Sequence, residues 1–248
     1  MQTALVVGAT GYTGRALVKL LCGRDVQTVA HVRPDSPHLD EARGRFEAIG
    51  ATVDTTPWDL ESMRATITRI RPAVIYCLIG TTLARARKAR RSGVDAGHVA
   101  VDFGLTALLV TAAARSGVRP RIVYVSALGA SASGRGGYMK ARWQSEQVVR
   151  ECGLPYVIAR PSFISGPDRE ELRPLERVAA RVTDAAVGLS VLLGLGESLA
   201  HLRSMTSDEL AEVLVNAAGD QSHDALILEG GSLLAYRSRT PSGRFVGV

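Results

Sequence analysis

Seven residues near the start of the chain, Gly8-Ala9-Thr10-Gly11-Tyr12-Thr13-Gly14, restrict its fold more than any other stretch. They join a short apolar run, Thr3 to Val7, to a segment with helical spacing, Gly14 to Leu21, where Ala16, Leu17, Leu20 and Leu21 alternate with polar Arg15 and Lys19. A strand that becomes a helix through three glycines needs a tight turn and lets the backbone approach whatever lies against it. The helix start then offers N–H groups and the positive end of a dipole to an anion. The spacing is GxxGxxG, and the strand before it and helix after it point to a turn that holds a diphosphate.

The same alternation continues along the chain. Strands are predicted over Val26–Val32, Ala51–Asp54, Ala73–Ile79, Arg121–Val125, Tyr156–Ala159 and Leu226–Leu228. Helices are predicted over Leu39–Ile49, Leu60–Ile70, Val99–Ser116, Tyr138–Glu151 and Ser207–Ala218. Strands alternating with helices imply an α/β fold: a doubly wound, mostly parallel sheet with helices on both faces. Residues 1–248 read as one domain. The less regular stretch 162–205, with charged Asp168 to Arg177 and apolar Ala185 to Gly196, and the C-terminal tail read as a small substrate-binding cap.

Composition removes several classes. With 248 residues, 46% hydrophobic and 22% charged, the chain can bury a sizeable core and is not a disordered polymer. No apolar run reaches the roughly 18–20 residues that cross a bilayer, so no membrane partner is expected. The N-terminus has no basic flank and does not read as a signal peptide. Cys22, Cys77 and Cys152 form no CxxC pair, and the five scattered histidines form no HExxH, so no metal is expected. Buried thiols in a reducing compartment imply a cytoplasmic protein. The net charge of +6 is carried by arginine, because lysine occurs at Lys19, Lys88 and Lys140 alone. A basic cluster, Arg85, Arg87, Lys88, Arg90 and Arg91, contains no aromatic residue. It reads as a solvated face rather than a nucleic acid site.

Arg33 stands nineteen positions beyond Gly14, at the end of the second strand. An acid there would take a ribose 2′-hydroxyl; an arginine suits a 2′-phosphate through charge-assisted, often bidentate hydrogen bonds. The expected cofactor is therefore NADP(H), with Asp35 leaving NAD(H) open. Asp59 and Leu60, just past the third strand, are placed to meet an adenine, although Asp59 also suits a helix N-cap.

Gly8 to Gly14, Asp59-Leu60, Gly80, Ser126, Tyr138 and Arg160-Pro161 occur in the order and spacing of the short-chain dehydrogenases/reductases, which the chain resembles from Thr3 to Pro167 and again over Met205 to Ala218. More narrowly it is similar to the atypical, NmrA-like branch. Cys77-Leu78-Ile79-Gly80-Thr81-Thr82 and Ser126-Ala127-Leu128-Gly129-Ala130 look like its Tat-interacting-protein-type oxidoreductases. The resemblance implies a Rossmann-like domain that binds a nicotinamide cofactor through Gly8, Thr10, Gly11, Tyr12, Thr13 and Gly14. Leu78, Ile79 and Gly80 would line its ribose, and the chain at Pro161 would turn back under the nicotinamide.

The family's active site is a Ser, a Tyr and a Lys four residues after the Tyr. Ser126 and Tyr138 fill the first two places, Ser126 to hydrogen-bond a substrate carbonyl and Tyr138 to move a proton while hydride moves at the nicotinamide. A free phenol has a pKa of about 10 and needs a nearby cation to work near neutrality. The third place holds Arg142, which shares a helix face with Tyr138 but is planar, bulkier and always charged. Lys140 points to another side of that helix.

The expected activity is hydride transfer to or from a small carbonyl-type substrate by an NADP(H)-dependent oxidoreductase. The alternative is an NADP(H)-binding regulator or scaffold with little turnover that engages a protein or nucleic acid. An epimerase or dehydratase of nucleotide sugars fits less well, because little chain follows Gly166. A homodimer through the helices beginning at Val99 and Tyr138 would suit the small residues Ala107, Thr111 and Ala114.

Overall fold

The computed structural model of the chain describes residues 2–80, 97–134, 137–162, 164–165 and 204–239, with only the backbone for 97–102 and 165. The expected basic cluster from Arg85 to Arg91 and almost all of the expected cap, including Ala185 to Gly196, lie outside these residues. The first half alternates as β1 (Thr3–Val7), α1 (Tyr12–Gly23), β2 (Gln27–His31), α2 (Leu39–Glu47), β3 (Thr52–Asp54), α3 (Leu60–Ile70) and β4 (Val74–Cys77). It continues as α4 (Gly97–Arg115), β5 (Arg121–Val125), α5 (Gly137–Glu151), β6 (Tyr156–Arg160) and β7 (Ile164–Ser165). The last described stretch holds β8 (Met205–Thr206), α6 (Ser207–Ala218), β9 (Ala225–Glu229) and α7 (Gly231–Ala235).

Seven strands form one sheet in the order β3-β2-β1-β4-β5-β6-β9, and every pairing in it is parallel. β7 and β8 form a separate parallel pair. Parallel strands covered on both faces must be apolar throughout, and β4 is buried at every residue. One core lies between the sheet and α1, α2 and α6; it includes Val6, Leu17, Leu21, Tyr76, Leu210 and Leu214. The opposite core lies under α3, α4 and α5 and includes Leu5, Ile67, Ile75, Leu109, Tyr124 and Val149. α6 is buried along most of its length and starts with a capping box, in which Thr206 and Glu209 satisfy each other's backbone N–H.

The sequence-based boundaries hold closely, and the departures have local causes. α1 begins at Tyr12 because Gly11, extended at φ −68°, ψ 167°, takes the N-cap position. β4 ends at Cys77, earlier than the apolar run suggests. Leu78 still bonds Val7 at 2.9 Å, and the chain through Ile79 and Gly80 then leaves the sheet. The short β7–β8 pair and α7 have no periodic signal of useful length, and both escape a reading by hydropathy.

The strand order reverses between β1 and β4, whose connections leave in opposite directions. A crevice forms there beyond the carboxyl ends of the strands, and in doubly wound sheets that is where ligands bind.

Candidate cofactor and active site

The glycine turn sits at this crevice. Gly8 has φ +86°, and a Cβ on it would lie 2.8 Å from the carbonyl carbon and oxygen of Leu78, so the first glycine lets the turn cross the end of β4. A Cβ on Gly14 would lie 2.2 Å from the Gly8 oxygen and 2.7 Å from that of Ala9, so the third lets α1 close onto its own turn. A Cβ on Gly11 would meet the Gly8 oxygen at 3.2 Å and otherwise open space. The middle glycine therefore leaves a face over which a ligand can approach. No side chain caps α1, and no acidic residue stands in its first turn, which holds Tyr12, Thr13 and Gly14. Arg15 Nη1 donates to the carbonyl of the exposed Thr10 at 2.9 Å. A bare helix start, an open backbone face and an adjacent guanidinium are the donor set that a diphosphate needs. The residues fit the expected cofactor at this end.

Arg33 lies two residues beyond β2 on the same edge. Its side chain is 55% exposed and, among the described residues, makes one long contact, 3.4 Å to Asp35. Asp59 is spent differently from the expectation. Its carboxylate caps α3 by accepting the Ser62 N–H at 2.8 Å, and that hydrogen bond holds its pKa below the usual carboxylate range. Leu60 opens α3 and packs against the core. Between Arg33 and Asp59, His31 bonds the Thr56 carbonyl at 2.9 Å and meets the Trp58 ring edge-on, with centroids 5.2 Å apart.

At the other end of the crevice the expected catalytic residues are bound to one another and to the sheet. Tyr138, Arg142 and Glu146 recur every four residues on α5, so they share a face. The Arg142 guanidinium carbon lies 5.2 Å from the Tyr138 ring centre. Nη1 donates to the carbonyls of Ile79 (3.0 Å) and Val125 (3.1 Å) and to the Tyr124 hydroxyl (3.2 Å). A Cβ on Gly80 would lie 1.8 Å from Arg142 Nη2. Gly80, expected against a cofactor ribose, is thus what makes room for the guanidinium, and the bulkier arginine fits because residue 80 has no side chain. Burial works against the Arg142 charge. The adjacent Tyr124 and Tyr138 oxygens outweigh it, so the group stays protonated. Burial also raises the Tyr124 phenol.

Ser126 is buried, and its hydroxyl donates to Glu146 Oε1 at 2.6 Å instead of standing free for a substrate. Glu146 is wholly buried and takes Arg160 through two hydrogen bonds, 2.9 Å from Nε and 2.7 Å from Nη2. Arg150 approaches it at 3.7 Å. Arg160 also pairs with Glu229 at 2.9 Å, so one network ties β5, α5, β6 and β9. Pro161 is buried, and its carbonyl accepts the Leu128 N–H at 2.9 Å, joining the chain after β6 to the chain after β5. Sequence reasoning missed Glu146 and Tyr124, and it named Arg160 only as part of the Arg160-Pro161 pair, without its ion pair to Glu146. The available signal was the four-residue step from Tyr138 through Arg142 to Glu146.

Residues 8–221 match the model of a family described as NAD(P)H-binding. The curated relatives include protein fmp52-1, mitochondrial, of Aspergillus terreus, 30% identical over 88% of this chain and 87% of that protein. Another is protein FMP52, mitochondrial, of Coccidioides immitis, 28% identical over 77% of this chain and 76% of its own. Among solved structures, the UDP-glucose 4-epimerase of Brucella ovis in complex with NAD superposes with a TM-score of 0.64 at 16% identity, covering 92% of this chain and 76% of that one. The UDP-Glc/GlcNAc 4-epimerase of Campylobacter jejuni gives 0.68 at 11%, covering 95% and 82%. These two likenesses carry the fold. The relatives' names correct the expectation of a cytoplasmic protein, since they are mitochondrial and neither cysteine usage nor a plain N-terminus distinguishes the two compartments. Among the described residues no helix is long and apolar enough to cross a membrane. The chain belongs to the NAD(P)H-binding family as an atypical, NmrA-like member of the short-chain dehydrogenases/reductases, related to the Fmp52 proteins.

Proposed function

We propose that the protein is an NADP(H)-dependent oxidoreductase acting on a small carbonyl-type substrate, in a mitochondrial setting like that named for its relatives. The observation that carries the reading is Arg142: a fixed guanidinium at the ends of β4 and β5, against the Tyr138 ring and on the same sheet edge as the glycine turn. The nicotinamide supplies or takes the hydride when bound. The N–H groups around Gly11 hold the diphosphate, and Arg33 holds the adenosine 2′-phosphate, which its weak contact with Asp35 leaves it free to do.

Tyr138 carries the proton at its phenol oxygen, and the Arg142 guanidinium against its ring holds the phenol in place. Ser126 donates its one hydroxyl hydrogen to Glu146. Its oxygen can then accept from the hydroxyl of an alcohol but cannot donate to a carbonyl, and the proton that reaches a carbonyl oxygen comes from Tyr138. The buried Glu146–Arg160 pair keeps this arrangement in place.

The test is NADPH oxidation across a panel of aldehydes, ketones and enones, with wild type beside Tyr138→Phe. Turnover with at least one class, reduced about 10²–10⁴-fold in the variant, is expected for loss of a positioned acid. Tight NADPH binding with no turnover on any panel member would instead favour a dinucleotide-binding regulator.

A further inference from the structure

We infer that Arg142 binds a carboxylate of the substrate, and that the substrate is a 2-oxo acid reduced to its 2-hydroxy acid. The inference rests on the proposed NADP(H)-dependent oxidoreductase and names the substrate class of its reacting end.

Among the described residues, few donors remain for a substrate at this end. Ser126 gives its hydrogen to Glu146, so it cannot hold a carbonyl oxygen. The Tyr124 hydroxyl is buried and accepts from Arg142. Tyr138 has one phenol hydrogen. The other source of N–H groups is Arg142, whose guanidinium carbon lies 5.2 Å from the Tyr138 ring centre. A plain ketone offers one acceptor group to the phenol and leaves the guanidinium idle.

Arg142 has donors to spare and a charge without a partner. The acceptors of Nη1 are two carbonyls and a phenol, which anchor the group to the ends of β4 and β5. Nη2 lies over Gly80, where a Cβ would be 1.8 Å away. Among the described residues no carboxylate pairs with Arg142. Glu146, one helical turn away, is committed to Ser126, Arg160 and Arg150. An arginine cannot shed its proton at any working pH, and a cation withdrawn from water calls for an anion. Its planar fork matches a carboxylate.

Both observations point to a carbonyl with an anion beside it. In a 2-oxo acid the carboxylate is bonded directly to the carbonyl carbon. One molecule can then set its carboxylate on the guanidinium and its carbonyl oxygen at the neighbouring phenol, since Tyr138 and Arg142 share a face of α5 one turn apart. The carbonyl carbon gains a hydride from the reduced dinucleotide. The carbonyl π pair passes to its oxygen, which takes the Tyr138 proton, and Tyr138 regains one from water. The carboxylate is unchanged, and the products are the 2-hydroxy acid and the oxidised dinucleotide.

The experiment uses the full chain with NADPH, in wild type, Arg142→Gln and Arg142→Lys. It measures kcat/KM for pyruvate and phenylpyruvate beside their methyl esters. It also measures, by calorimetry, dissociation constants for oxamate and methyl oxamate, which carry the same groups and are not reduced. Wild type is expected to favour each acid over its ester by about 10–100-fold, the worth of a hydrogen bond to a charged group, and oxamate over methyl oxamate by a similar factor. The esters are the more reactive carbonyls, so intrinsic reactivity works against this result. Both preferences should collapse toward unity in Arg142→Gln and persist in Arg142→Lys, whatever the variants lose in rate. Turnover of neutral carbonyls with no preference for the acids overturns the inference and leaves the proposed function standing. Preferences that Arg142→Gln leaves intact overturn it as well. Should Arg142→Gln fail to fold, the ratios of wild type and Arg142→Lys decide by the same criteria. No turnover of any carbonyl breaks the proposed function, and the oxamate titration then decides the carboxylate site on its own.

Discussion

The two ends of the crevice solve the same problem in opposite ways. At the diphosphate end the donors are left open: a helix start with no cap and no acid, a bare face over Gly11, and an Arg33 side chain with one weak contact. At the nicotinamide end nearly every polar group is already spoken for. Arg142 is bound to two carbonyls and a phenol, Ser126 to Glu146, and Glu146 to Arg160. A backbone cradle needs no side-chain support, because the turn itself fixes its N–H groups. A reacting end built from long side chains must hold each one with another. The first end should therefore respond to mutation mainly in affinity, and the second in stability as well.

The sharpest contrast comes from Glu146→Ala, which leaves the Arg160 guanidinium with Glu229 alone and removes the partner of Ser126. Loss of one member of a buried pair is expected to cost about 3–5 kcal/mol, read by denaturant unfolding. A cost under about 1 kcal/mol would show the network to be decorative. Gly14→Ala comes next. Its methyl group would press on the Gly8 and Ala9 carbonyls, an overpacking worth about 1–3 kcal/mol that also distorts the turn and weakens every dinucleotide. A Gly14→Ala protein with native stability and binding would mean that the turn is looser than its contacts imply.

Arg33→Ala should leave the melting temperature alone and weaken NADPH about 10–100-fold while sparing NADH, the worth of lost charge-assisted hydrogen bonds. Equal losses for both cofactors would move Arg33 out of the 2′-phosphate site.

The smallest effect lies away from both ends. Asp220 accepts from Ser222, from the Tyr236 hydroxyl and from Arg239, and these partners, Ser222 first, pull its pKa down to about 2. A carboxylate more acidic folded than unfolded adds stability above its unfolded value of about 3.9 and loses it as the pH falls toward the folded one. Stability should therefore decline between about pH 4 and pH 2, and less steeply in Asp220→Asn. Identical pH profiles for the two proteins would remove Asp220 from the acid transition.

The contrast between the ends also explains what could be read from residues alone. The glycine turn, Arg33 and the strand–helix alternation are local patterns, and each appears where spacing placed it. Asp59 has two local roles open to it, and the structure fills the cap. The Glu146 network was out of reach because Ser126, Glu146, Arg160 and Glu229 come from four elements far apart in the chain. The fit of Arg142 over Gly80 was equally hidden, since no pattern in one segment reports a contact between residues so distant in sequence. Local chemistry is legible in sequence; chemistry assembled by the closing of the sheet is not.

The most direct test of the central claim, that this turn and Arg33 hold a phosphorylated dinucleotide, is a calorimetric titration of the full chain with NADPH. One saturable site per chain is expected, displaced by adenosine 2′,5′-bisphosphate and weakened in both Gly14→Ala and Arg33→Ala. Absence of heat, with no rise in melting temperature at saturating NADPH or NADH, would contradict it.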